Sequence, residues 1–157
     1  AEMAGTDPVG AAATVKALVR ESLSEEWRSD HSDRASLEAL RDRTVLHLGA
    51  LGEPRGGEGD GHEEACASCL KLCRNMSVQR PDVQDHWWHS GLVDAVLSQI
   101  RADAVLSDER GPAWCEAVPS FLTNAIAGNG DLRASACKAW LPKLAAVVCS
   151  LCSRRPP

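Results

Sequence analysis

Tyrosine is absent from this chain of 157 residues and phenylalanine occurs once, leaving five tryptophans as the other aromatic side chains. An interior so poor in rings is filled by small and aliphatic groups, which suits closely packed helices. No apolar–polar alternation runs long enough for a half-buried strand, so the pattern predicts an all-α fold. The longest largely apolar run, residues 144–152, is far short of the ~20 residues of a membrane-spanning helix, so no membrane is expected as a partner. Positive charge is in deficit, with 17 Lys and Arg against 22 Asp and Glu for a net charge of −5. Nucleic acid, which needs a basic stripe, is therefore not an expected partner either. Residues 1–10 lack the basic start and apolar run of a signal peptide, and the ends of the chain read as those of a fragment or processed form. No Gly-Lys-Ser/Thr phosphate loop and no ordered Ser–His–Asp set occurs. The expectation is a protein that is not an enzyme and holds no cofactor.

What the chain does have is a repetition. Leu72-Cys73-Arg74-Asn75-Met76 and Phe121-Leu122-Thr123-Asn124-Ala125 each set an asparagine in an apolar helical run, and the two asparagines lie 49 residues apart. At the same offset Pro81-Asp82-Val83 falls on Gly130-Asp131-Leu132, Leu92 on Leu141, Val96 on Ala145 and Ile100 on Cys149. A period of roughly 40–50 residues marks stacked helical repeats, which serve as binding surfaces more than as enzyme cores.

Apolar residues at three- and four-residue spacing predict a helix over 9–27, carried by Val15, Leu18, Val19, Leu23 and Trp27. A second helix runs to about Leu51, with Leu37, Leu40, Thr44, Leu48 and Leu51 on one face and Ser32 or Asp33 as N-cap. Five glycines and a proline predict a mobile loop over 52–61. From His62, the residues Ala65, Cys66, Cys69, Leu70, Leu72, Cys73 and Met76 cover more than half of a helix, which must then be sandwiched between others. Pro81 restarts the chain in a short helix over 81–89. Gly91 turns it, and Leu92, Val93, Val96, Leu97, Ile100 and Ala104 mark the next helix. After a loop over 107–112 the order recurs: a dense helix over 113–127, a turn at 128–130, a short helix from Asp131 and a last helix over 141–152. Residues 1–61 thus form a helical pair and a Gly-rich loop, and 62–157 two repeats, all in one structural domain. Stacks usually need three or more repeats, so residues 9–51 or a partner must supply the third layer.

A short helix, a medium helix and a long buried helix ending in an asparagine motif resemble the armadillo repeat. The residues that carry the resemblance are Cys69 to Ser77, Pro81-Asp82-Val83-Gln84, Gly91-Leu92-Val93 and Val96-Leu97, then Phe121 to Ala127, Asn129 and Leu141-Pro142-Lys143-Leu144. Within that superfamily the chain looks most similar to the N-terminal region of ataxin-10 proteins. The resemblance implies an α-solenoid and a cytoplasmic scaffold with protein partners. It also implies that Asn75 and Asn124 line a concave groove and grip the backbone of an extended ligand. The nuclear-import type of array places tryptophan one turn earlier, where this chain has Lys71 and Ser120, so a nuclear-localisation signal is not the expected ligand. The residue-level alternative is that each asparagine bonds a neighbouring turn, as Asn readily does.

Two further patterns bear on function. Cys66-x-x-Cys69-x-x-x-Cys73 and Cys149-x-x-Cys152, with His62 and His86-x-x-His89, offer a metal or redox reading, because tetrahedral zinc needs four N or S donors. The first three cysteines also share one helical face, the stripe that a core would use, and seven reduced thiols suit a cytosolic protein. His86-Trp87-Trp88-His89 puts two adjacent indoles about 100° apart on a helix, so one can face the core and the other a partner, or both can wedge between repeats. The expected partner-binding set is Lys71, Arg74, Asn75, Gln79, Trp87, Trp88, Ser120, Thr123 and Asn124. A structural subunit packed against further repeats is the remaining alternative.

Overall fold

The computed structural model describes residues 8–51, 59–100, 111–127, 129–138, 140 and 142. Among the described residues every regular element is helical. In chain order they are α1 (Pro8–Glu21), α2 (Glu25–Asp30), α3 (Arg34–Ala50), α4 (Gly59–Met76), α5 (Pro81–His89), α6 (Leu92–Ser98) and α7 (Pro112–Ile126). Helical residues continue over 130–138. The expected loop over 107–112 for the most part, the helix over 141–152 apart from Pro142, and Ala104, Cys149 and Cys152 lie outside the described residues.

The single helix expected over 9–27 is two. Ser22 Oγ donates to the Val19 carbonyl at 2.8 Å, and Arg28 Nη1 donates to the carbonyls of Ser22 (2.9 Å) and Leu23 (3.0 Å). Ser24 then caps α2 by accepting from the Trp27 amide. Two serines flanking Leu23 give the backbone alternatives to a continued helix, and the chain takes them. Leu23, expected on the apolar stripe, is consequently 68 % exposed. Trp27 belongs to α2, where its ring stacks on His31 at 4.1 Å.

Asp33 is the N-cap of α3, accepting from the Ser36 amide at 3.1 Å. Leu37, Thr44 and Leu48 are buried along its inner face, with Leu40 and Leu51 half-buried. α4 begins at Gly59, so residues 59–61, expected in the loop, are helical; 52–58 lie outside the described residues. Its apolar positions are all buried, from Ala65 through Met76. The reason is its placement: α4 packs against α1, α3 and α7.

Residue pairs between these helices advance together along both chains. Lys16 meets Glu64 and Val19 meets Asn75, so α1 and α4 run in the same direction. Glu63 meets Gly111, Lys71 meets Glu116 and Arg74 meets Ser120, at separations of 48, 45 and 46 residues, so α4 and α7 do too. Parallel neighbours need intervening segments to carry the chain back, which α5 and α6 provide between α4 and α7.

The joint after α4 is closed by one serine. Ser77 Oγ donates to the Cys73 carbonyl at 2.8 Å and accepts from Trp87 Nε1 at 3.0 Å. The Ser77 carbonyl accepts from Gln84 Nε2 at 3.0 Å. Gln79 takes φ +57, a left-handed turn conformation, and Pro81 opens α5 in its first turn. Gly91, at φ +79, caps α6 with a backbone that a side chain would strain.

Burial follows the 49-residue offset seen in the sequence. Leu72, Cys73 and Met76 of α4 are buried, as are Phe121, Leu122 and Ala125 of α7. Further along, Val83 and Trp87 are buried, as are Leu132 and Ala136. At these positions the repetition extends to packing, while Cys66, Leu70 and Gln84 are buried where Cys115, Pro119 and Arg133 are exposed.

Candidate partner-binding face

α4 is nearly enclosed, and the side chains it leaves at the surface lie along the seams with α1 and α7. Lys71 is half-buried and its Nζ lies 2.8 Å from Glu116 of α7. The Glu116 carboxyl is held below its ordinary range by that hydrogen bond and by the lysine's charge. One turn on, Arg74 donates from Nε (3.0 Å) and Nη2 (2.6 Å) to Asn75 Oδ1, and from Nη1 to Ser120 Oγ at 3.1 Å. Lys71, Arg74, Asn75 and Ser120 are thus brought together as expected.

Asn75 is only 2 % exposed. Its Nδ2 donates to Ser22 Oγ at 2.9 Å and to the Val19 carbonyl at 3.3 Å, so both ends of its amide are engaged within the protein. An amide so placed pins the end of α1 to α4 and has no capacity left for a ligand's backbone. Asn124 is half-buried and donates to the Ser120 carbonyl of its own helix at 3.0 Å. Its Oδ1 end faces no such clamp among the described contacts. Thr123 is exposed, with Oγ1 donating to the carbonyl of Pro119 at 2.8 Å. Pro119 sits inside α7 and lacks the amide hydrogen that would continue the helical ladder.

The remaining expected residues are elsewhere. Gln79 is exposed in the turn after α4. Trp87 is wholly buried, bonded to Ser77, and cannot meet a partner. Trp88 is half-buried and lies 5.9 Å, ring to ring, from Trp140.

The cysteines of α4 are core residues. Burial pushes the Cys69 thiol up to about 11 and the Cys73 thiol well above its ordinary value. Both are protonated at neutral pH, which suits packing and disfavours nucleophilic chemistry. Among the described residues no three His, Cys, Asp or Glu side chains are grouped to hold a metal ion. No described helix is long and apolar enough to cross a membrane.

Sequence reasoning passed over the residues of α1 that complete this face. A groove of about 260 Å³ lies between α1 and α4, lined by Lys16, Val19, Arg20, Glu64, Ala67, Ser68 and Lys71, and by Ala113 of α7. Lys16 Nζ lies 2.6 Å from Glu64. The available signal was the four-residue spacing of Lys16 and Arg20, which puts both on one side of α1.

No family model matches the chain, and no curated protein and no solved structure matches it.

Proposed function

We propose that this chain is a non-enzymatic protein-interaction domain, an armadillo-like α-solenoid of ataxin-10 type acting as a cytoplasmic scaffold. The observation that carries the reading is the parallel set α1, α4 and α7, each neighbour about one repeat further along the chain. The 49-residue recurrence of burial supports it, since a stack reuses the same inward positions in each layer. α1 supplies the third layer that two visible repeats lack. The partner lies across the polar seams of these helices, on Lys71, Arg74, Ser120, Thr123 and Asn124. Asn75 serves the site by fixing α1 against α4.

Quantitative affinity capture tests the reading. A chain with Lys71→Glu, Thr123→Glu and Asn124→Glu should lose the proteins held by the unaltered chain. A chain with Asp42→Lys and Arg34→Glu on α3 should keep them. Equal capture by all three, with helicity intact, would overturn the assignment of this face.

A further inference from the structure

We infer that the groove between α1 and α4 takes an extended acidic segment of a partner protein, with Arg20, Lys16 and Lys71 as its cationic contacts. The inference rests on the interaction-domain reading above and adds the chemistry of the partner.

Charge is the first argument. With the ion-pair partners counted, Lys16, Arg20 and Lys71 face two carboxylates, Glu64 and Glu116, a local excess of one positive charge carried by Arg20 in a chain whose net charge is −5. A positive strip on an otherwise acidic molecule attracts an acidic segment locally and repels it elsewhere, so it sets register as well as attraction. Arg20 is exposed and makes no ion pair among the described residues. It is free to meet an incoming carboxylate in the bidentate manner that guanidinium favours. Lys16 and Lys71 are paired, but with partners that are 53 % and 66 % exposed. Exposed pairs of this kind are worth about 1 kcal/mol or less, so a ligand carboxylate displaces Glu64 or Glu116 at little cost.

Shape is the second. Besides the charged residues the lining is Val19, Ala67, Ser68 and Ala113. Small side chains let a main chain approach closely, and Val19 adds apolar lining. A helical occupant is the competing shape, since helices also seat in grooves between packed helices. The small side chains favour an extended segment, whose main chain can lie against them.

Fluorescence anisotropy on the full chain tests this with three labelled peptides of about twelve residues, each spanning about 40 Å when extended. One is rich in Asp and Glu, one replaces these by Ser and Gln, and one by Lys and Arg. The acidic peptide should bind, with affinity falling as salt rises. Arg20→Glu with Lys71→Glu should weaken it by about tenfold or more, a loss of roughly 1.4 kcal/mol. Arg34→Glu on α3, which does not line the groove, should change it by less than about twofold, and circular dichroism should show all variants folded. Binding of the neutral or basic peptide at equal strength, unaffected by the groove variants, would overturn the acidic assignment while leaving the capture result above standing. So would a single-stranded oligonucleotide that competes as well as the acidic peptide, since the strip would then be a general polyanion site. Absence of binding to all three peptides by the folded chain also overturns it.

Discussion

The ends of α4 and α7 carry the same asparagine in the same sequence setting, and the protein uses them oppositely. At the end of α4, Asn75 is sealed against Ser22 and Val19, and the following turn is closed by Ser77, Gln84 and Trp87. At the end of α7, 49 residues further on, the Asn124 side chain bonds its own helix among the described residues. The positions of Ser77, Gln84 and Trp87 are there taken by Ile126, Arg133 and Ala136. The difference lies in the neighbours. α1 breaks at Ser22 just where Asn75 can reach it, whereas α4 continues past the point where it faces α7 and sends Arg74 across to Ser120. A repeated residue therefore marks a repeated place in the fold without fixing a repeated job. The α4 end is a structural joint, whereas at the α7 end Asn124 is half-buried and Thr123 exposed.

The largest effects should come from dismantling the joint. Trp87 is wholly buried and holds Ser77, so Trp87→Ala should cost roughly 3–5 kcal/mol in urea unfolding, a large share of a typical domain's stability. Trp88→Ala, at a half-buried ring, should cost clearly less. Equal losses at the two tryptophans would mean that both are core. Next comes Asn75→Ala, expected at about 1–3 kcal/mol because it removes two hydrogen bonds from the α1–α4 seam and leaves Arg74 Nε and Nη2 without their shared acceptor. A double-mutant cycle with Ser22→Ala should give a coupling of about 1 kcal/mol. Strict additivity of the two changes would remove the direct bond from the account.

Local chemistry made much of the joint readable in advance, and long-range contact did not. The α4 stripe, the Asp33 cap, the Pro81 start and the Gly91 turn each follow from residues within a few positions, and the structure has them. The break at Ser22 was also local, but the apolar spacing that runs on through Leu23 and Trp27 masks it. The partner of Asn75 is 53 residues away, so no spacing rule points to it. Whether Trp87 or Trp88 turns inward depends on helix phase relative to Ser77, which only packing sets. Lys16 and Arg20 look like ordinary solvated charge until α4 is laid beside them.

A smaller, graded test uses pH, and it again falls on the closed side of the comparison. His47 of α3 is 6 % exposed, and its Nδ1 lies 3.3 Å from Nδ1 of His62. Burial, then the charge of Arg43, then His62 push the His47 pKa below its ordinary 6.5. His86 is lowered by burial first, with Arg41 and Arg34 adding to the effect and Glu38 opposing it. Below about pH 6.5 the unfolded chain takes up protons that the folded chain resists, so stability present above that pH is lost as pH falls towards the folded values. The carboxylates with depressed pKa, such as Asp82 and Glu116, contribute only at lower pH, because their ordinary values are 3.8 and 4.5. The urea midpoint should therefore be lower at pH 5.5 than at pH 7.5, and His47→Gln should flatten the difference. An unchanged slope in that variant would place the proton uptake elsewhere.

The smallest expected effect is the most discriminating. Asn124 donates to the Ser120 carbonyl one turn back, a group that already sits within helix α7, and among the described residues no side chain of another element bonds it. Asn→Ala in a helix also recovers propensity, since alanine does not compete with the backbone for hydrogen bonds. Asn124→Ala should then change stability by no more than about 0.5 kcal/mol in either direction. Its contrast with Asn75→Ala is the measurement, made on the same chain under the same conditions so that errors of extrapolation cancel. Matching losses at both positions would show that Asn124 is clamped as Asn75 is, and the division into a closed joint and an open face would fall. A near-zero change at Asn124, together with loss of partner capture in the Asn124→Glu chain, separates surface from scaffold at two copies of one residue.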